Sequence, residues 1–139
     1  MKFIKSSFEI LDQIPSIDGI YRQIELTGRV SYKSEDKITE DSVKKFIDML
    51  IKRGYTSCLE HGTVYLKLDD NTYKSIFNKD NEKWNTFINK YKTNPYSTVT
   101  NNYYDVYITS NYRVLYQNNW LDDLQYLCEP TEYHEKRIT

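Results

Sequence analysis

Apolar residues recur at helical spacing most clearly between Thr39 and Gly54, where Val43, Phe46, Ile47, Leu50 and Ile51 fall on a single stripe. Glu40 and Asp41 open this segment, and Lys52, Arg53 and Gly54 close it. Acid at the start, base at the end and a terminal glycine match the helix dipole and a left-handed C-cap, so the pattern predicts a helix from about Thr39, its cap, to Arg53. An earlier stripe of Ile17, Ile20, Ile24 and Thr27 follows Pro15-Ser16. It predicts a helix with Ser16 as N-cap and an end near Gly28, leaving Arg29-Val30-Ser31-Tyr32 as a turn and Lys33 to Lys37 as a charged loop. Lys2-Phe3-Ile4 fits a short first strand.

The period then changes to two. Val64, Leu66 and Leu68 alternate with Thr63, Tyr65 and Lys67, the signature of a half-buried strand, and Asp69-Asp70-Asn71 ends it. From Thr72 to Lys92 the positions Phe77, Trp84, Phe87, Ile88 and Tyr91 predict one or two helices, broken by polar residues between Asn78 and Asn81 and stopped by Asn94-Pro95. Tyr103 to Thr109 reads as a second strand around Val106 and Ile108. Ser110 or Asn111 then caps a short helix, and Asn119 caps another carrying Leu121, Leu124 and Leu127, ended by Glu129-Pro130. Together these elements predict an α+β fold, a small, mostly antiparallel sheet packed against two or more helices. Neither an internal repeat nor a low-complexity tract interrupts it.

Composition narrows the partners. A chain of 139 residues, 39% hydrophobic and 28% charged, is one domain's worth with enough apolar material for a core. Its 19 basic and 20 acidic side chains nearly cancel, so no strong field for a nucleic-acid polymer is expected. No apolar run approaches the roughly 20 residues that cross a bilayer. Cys58 and Cys128 are the two cysteines, without metal spacing or a secretory leader, and the expectation is a cytoplasmic protein in a reducing compartment. The 14 tyrosines offer stacking surface for bases or ring ligands, but also serve as core and rim residues. His134, between Tyr133 and Glu135, lacks a second ligand cluster in sequence, and no metal site is expected.

Candidate chemistry gathers at Lys52-Arg53-Gly54-Tyr55-Thr56-Ser57-Cys58-Leu59-Glu60-His61, where a helix end runs through a polar loop into an acid/imidazole pair and a strand. Ser57 is either a ligand hydroxyl or a loop hydroxyl that satisfies backbone. Glu60 and His61 either orient each other and a ligand or form a structural hydrogen-bond pair. Arg29 and Ser31 either face the same cleft or, for Arg29, supply a cation to a helix C-terminus. Cys58 reads as a small buried hydrophobe.

Two blocks carry a family resemblance. Gly28-Arg29-Val30-Ser31-Tyr32 presents a small residue, Arg, a variable residue, Ser and an aromatic after the first helix; a second helix leads to Lys52-Arg53-Gly54, Glu60-His61 and a strand opening Gly62-Thr63-Val64-Tyr65. In order and separation this resembles the N-terminal half of the flavin-dependent thymidylate synthases, over about residues 2–68. Residues 69–133 resemble an insertion found in longer phage- and Bacteroides-type members, within the same single domain. The likeness implies the fold of that N-terminal half, with FAD and a nucleotide bound near Ser57, Glu60, His61, Arg29 and Ser31. In the family, flavin reduces a methylene carried from methylenetetrahydrofolate to dUMP, giving dTMP.

The chain departs from that pattern. Tyr55 stands where the family usually has His, and no Arg-His-Arg run with its serines is present to hold flavin and phosphate. The resemblance therefore implies an incomplete enzyme, inactive alone and without an assigned catalytic residue, that self-associates into a homo-oligomer or is completed by a C-terminal chain. The alternative, from a different class, is a non-catalytic nucleotide-binding or sequestering protein derived from the same fold and possible in a phage.

Overall fold

The computed structural model describes residues 16–31, 33–102 and 105–128. The first helix, α1, runs over Ile17–Ser31, and Ser16 caps it by accepting a 2.9 Å hydrogen bond from the Gly19 amide. The expected end at Gly28 is not there, and Arg29 to Ser31 are helical rather than a turn. Gly28 has another purpose. A Cβ at that position would lie 2.8 Å from Cζ of Phe46, so the missing side chain is what lets α2 (Ser42–Lys52) approach. The helix stops instead at Lys33, whose φ of 53° places it in the left-handed region. There the Ser34 amide bonds the Arg29 carbonyl at 2.8 Å and the Lys33 amide the Val30 carbonyl at 3.2 Å, a Schellman closure.

A short 3-10 turn, Glu35–Lys37, leads to α2. This helix begins three residues after the expected cap Thr39, because Ser42 Oγ accepts from the Thr39 amide at 2.9 Å and holds the intervening residues in a turn. Its end follows the sequence signals. Gly54 has φ +73°, and the Tyr55 amide reaches the Leu50 carbonyl at 2.8 Å. Phe46 and Leu50 are buried, though α2 packs chiefly on α1 and on the 3-10 segment Thr56–His61 rather than directly on the sheet.

The sheet has three antiparallel strands in the order β1-β3-β2, with β1 at Thr63–Leu68, β2 at Thr98–Asn102 and β3 at Asp105–Asn111. Val64, Leu66 and Leu68 of β1, opposite Ser110, Ile108 and Val106 of β3, form the inward face. Two strands of the sheet were expected here and three are found. The expected strand over Tyr103 to Thr109 is described from Asp105 and runs on to Asn111, its first two expected residues lying outside the described residues, while β2 is an unforeseen edge strand with Val99 its sole strongly apolar residue.

Between β1 and β2 lie α3 (Asp70–Ser75) and α4 (Asn81–Lys92), separated where expected, with Asn78 and Lys79 both at positive φ. Asn111 caps α5 (Tyr112–Gln117) by accepting from the Val114 amide at 3.0 Å. The helix expected after Asn119 is a 3-10 segment, Leu121–Tyr126, without a side-chain cap; Asn119 itself takes a positive φ of 61° and is not the cap. Its Asp123, nearly buried, accepts from Tyr91 at 2.6 Å and pairs with Lys90 at 2.7 Å, tying this segment to α4. Burial and that carboxylate hold the Tyr91 phenol well above its ordinary range. The architecture is thus α+β as expected. The strand expected at Lys2-Phe3-Ile4 and the reading of His134 lie outside the described residues. Among the described residues no helix is long and apolar enough to cross a membrane.

Candidate functional site

The five residues singled out from sequence do not converge. Ser57, Glu60 and His61 ride on the 3-10 segment Thr56–His61, which is anchored by Leu59, wholly buried, while the three polar side chains point away and are exposed. Glu60 pairs with Arg113 of α5. No hydrogen bond joins Glu60 to His61 among the described residues. Cys58 is half-buried against the core. Ser31 is exposed and donates back to the Thr27 carbonyl at 3.2 Å, an ordinary helix contact.

Arg29 is different. Its Nε donates at 2.9 Å to Glu25, a carboxylate only 1% exposed that also accepts from Ser42 Oγ at 2.7 Å, and its guanidinium lies 4.7 Å from the centre of the Phe46 ring. Tethered through one nitrogen and stacked on one face, the group is held in place with its terminal nitrogens left over for a ligand.

Arg29 borders a cleft of about 420 Å³ between the end of α1, the Glu35–Lys37 turn and α2. Three further cations line it: Lys37 from the turn, and Lys45 and Arg53 from α2. Positions 45, 49 and 53 recur every fourth residue, so Lys45, Met49 and Arg53 share one helix face. Phe46 and Met49 give the cleft apolar surface, and Tyr55, just past the helix end, adds a half-exposed ring. None of the residues described as lining it is a carboxylate, imidazole or thiol.

The cleft gathers cations that carry no ion pair among the described residues, although unpaired lysines such as Lys44, Lys52 and Lys83 also stand elsewhere on the described surface. Arg22, Lys74, Lys90 and Arg113 each sit against a carboxylate. Lys37, Lys45 and Arg53 have no carboxylate partner among the described residues, and Glu25 sits behind Arg29, outside the lining. Two helix C-termini favour Arg29 and Arg53 through the dipole by about 0.3–1 kcal/mol each. That explanation does not extend to Lys45, in the second turn of α2, or to Lys37. Sequence reasoning placed Arg53 and Tyr55 in its candidate stretch without assigning them a role and missed Lys37 and Lys45, because the four come from separate elements; the fourfold spacing of Lys45, Met49 and Arg53 was an available signal.

Among the described residues, no three His, Cys, Asp or Glu side chains come together in a way that could hold a metal ion. No family model, curated protein or solved structure matches the chain.

Proposed function

We propose that this domain binds a nucleotide-class ligand without transforming it, seating phosphate among Arg29, Lys37, Lys45 and Arg53 and an apolar or aromatic portion against Met49 and Tyr55. The carrying observation is the cleft itself: four cations, no carboxylate in its lining, and enough room for a ligand of this size. Guanidinium groups favour phosphate because two parallel N–H donors match two oxygens. The described lining has no carboxylate, imidazole or thiol, which supports binding over turnover.

A second reading is favoured by one observation. Arg29 from the first family-like block and Arg53 and Tyr55 from the second border the same cleft, so the two blocks meet there, and the reading is a flavin-dependent thymidylate synthase homologue whose chemistry needs a completing chain. On that reading the cleft takes the phosphates of FAD or dUMP.

Calorimetric titration with ADP, dUMP, FAD and phosphate-free uridine tests both. Binding of the phosphate-bearing ligands but not of uridine, weakened at least tenfold in the Lys45→Gln/Arg53→Gln double variant, is the expected result. Both side chains are exposed, so the fold should persist. Uridine binding as tightly as dUMP, or silence from every ligand, would overturn the proposal. FAD binding that appears only when a C-terminal family segment is supplied in trans would favour the second reading.

A further inference from the structure

A separate cavity of about 490 Å³ lies between the α3–α4 hairpin and the strands β2 and β3, and its lining has a different chemistry. We infer that this cavity is a saccharide-binding site. Three features carry the inference together.

The first is an aromatic wall. Trp84 and Tyr73 both line the cavity, their ring centroids 5.3 Å apart at an interplanar angle of 77°, and Phe77 also packs on Trp84 at 5.2 Å. A half-exposed indole held by two perpendicular ring contacts offers apolar aromatic surface to the cavity it lines, the kind of surface against which the C–H face of a pyranose packs.

The second is an amide ladder. Asn81, Asn85 and Asn89 stand every fourth residue along α4 and all line the cavity. Asparagine is a poor helix former, so its repetition on one stripe does not serve the helix. Asn81 engages Tyr73 through its carbonyl, which leaves its amino group. Asn85 and Asn89 make no side-chain hydrogen bond among the described residues. Each therefore offers one acceptor and two donors, the complement of vicinal hydroxyl groups.

The third is what the charges are doing. Asp69 accepts from the Thr72 amide and hydroxyl at 2.9 Å each, and Asp70 pairs with Lys74 at 2.8 Å. Asp105 accepts from Tyr107 at 3.3 Å. The carboxylates are committed to local contacts, and against the three of them Lys92 is the single cation in the described lining, so the lining stays net negative and disfavours phosphate, leaving the amides and rings as its main uncharged chemistry. That favours a neutral polyhydroxylated ligand over a polyamine. The same chemistry would serve a free sugar or the terminal unit of a glycan.

The chain has two tryptophans, and the indole N–H signals report on them separately. Trp120 lies against Tyr91 and Lys90, away from this cavity. Titration of the full chain with N-acetylglucosamine, a glucose disaccharide, a high-mannose glycoprotein and spermidine should move the Trp84 signal with at least one sugar arm and leave Trp120 still. The glycoprotein arm responding alone assigns the site to glycans; a free-sugar response assigns it to small saccharides. The Asn85→Ala/Asn89→Ala variant should weaken the response at least tenfold while its free spectrum stays dispersed. No Trp84 shift from any sugar at tens of millimolar, a shift with spermidine alone, or an undiminished response in the double variant would each overturn the inference.

Discussion

Single residues settle how closely the helices pack. Gly28 is the sharpest case, since an added methyl would stand 2.8 and 2.9 Å from two carbons of Phe46, whose ring is itself under the Arg29 guanidinium. Alanine is intrinsically better than glycine in a helix by about 1 kcal/mol. Forcing a buried ring aside costs typically about 1–3 kcal/mol, and more if the Arg29–Glu25 contact moves with it. Steric cost therefore wins, and Gly28→Ala should lower the stability measured by urea unfolding. Pairing it with Phe46→Leu should recover part of the loss, giving a non-additive cycle. An unchanged or raised midpoint for Gly28→Ala would mean that α1 and α2 slide apart without cost. This glycine also explains a misreading. In sequence, a glycine after a run of helical apolar positions looks like a C-cap, and only the partner helix reveals that it marks a close approach.

At the scale of elements, legibility follows how local the cause is. The strand Thr63–Leu68, the break between α3 and α4, the Ser16 and Asn111 caps and the Gly54 stop were all readable, because each depends on a few neighbouring residues. The strand β2 was not. Its Thr-Val-Thr-Asn-Asn sequence has no apolar alternation, and it becomes a strand by pairing with β3, Val99 opposite Ile108. The candidate cleft was legible only in part: Arg29 and the stretch holding Arg53 and Tyr55 were singled out, but that they meet with Lys37 and Lys45 depends on how α2 packs on α1. A local device also makes α3 pH-sensitive. Asp69 and Thr72 form a reciprocal capping box, and the hydrogen bond from the Thr72 amide holds the Asp69 carboxyl below its ordinary range. A depressed folded-state value means stability that is present above about pH 4, the unfolded range, and lost as pH falls through the lower folded value. Asp69→Ala should cost about 0.5–2 kcal/mol at neutral pH. Asp69→Asn, which keeps an acceptor but no charge, should cost less at neutral pH and flatten the fall in unfolding midpoint below pH 4. An acid limb identical to that of the parent chain would assign the acid sensitivity elsewhere.

Across the whole molecule the formal net charge is only −1, yet three of the four cations bordering the α1–α2 cleft, Lys37, Lys45 and Arg53, carry no ion pair among the described residues, while Arg29 pairs with Glu25. A nearly neutral chain exerts little long-range pull, so attraction for an anion must be local to the cleft. Such attraction is screened over about 8–10 Å at ordinary ionic strength. Two consequences distinguish phosphate recognition from apolar binding in the same place. Affinity for dUMP should fall steadily between about 50 and 300 mM salt, in a range where burial of apolar surface alone would be unchanged or strengthened. A ligand that binds only the folded chain should also stabilise it by about 2.7 kcal/mol at a hundredfold excess over Kd, which raises the unfolding temperature of a domain this size by roughly 5–11 °C. That rise should shrink with added salt and vanish in Arg53→Glu, which reverses a charge in the cleft without disturbing the buried Glu25–Arg29 contact. Salt-independent stabilisation, or the same rise in Arg53→Glu, would place the ligand away from these cations and remove the cleft as the seat of phosphate binding.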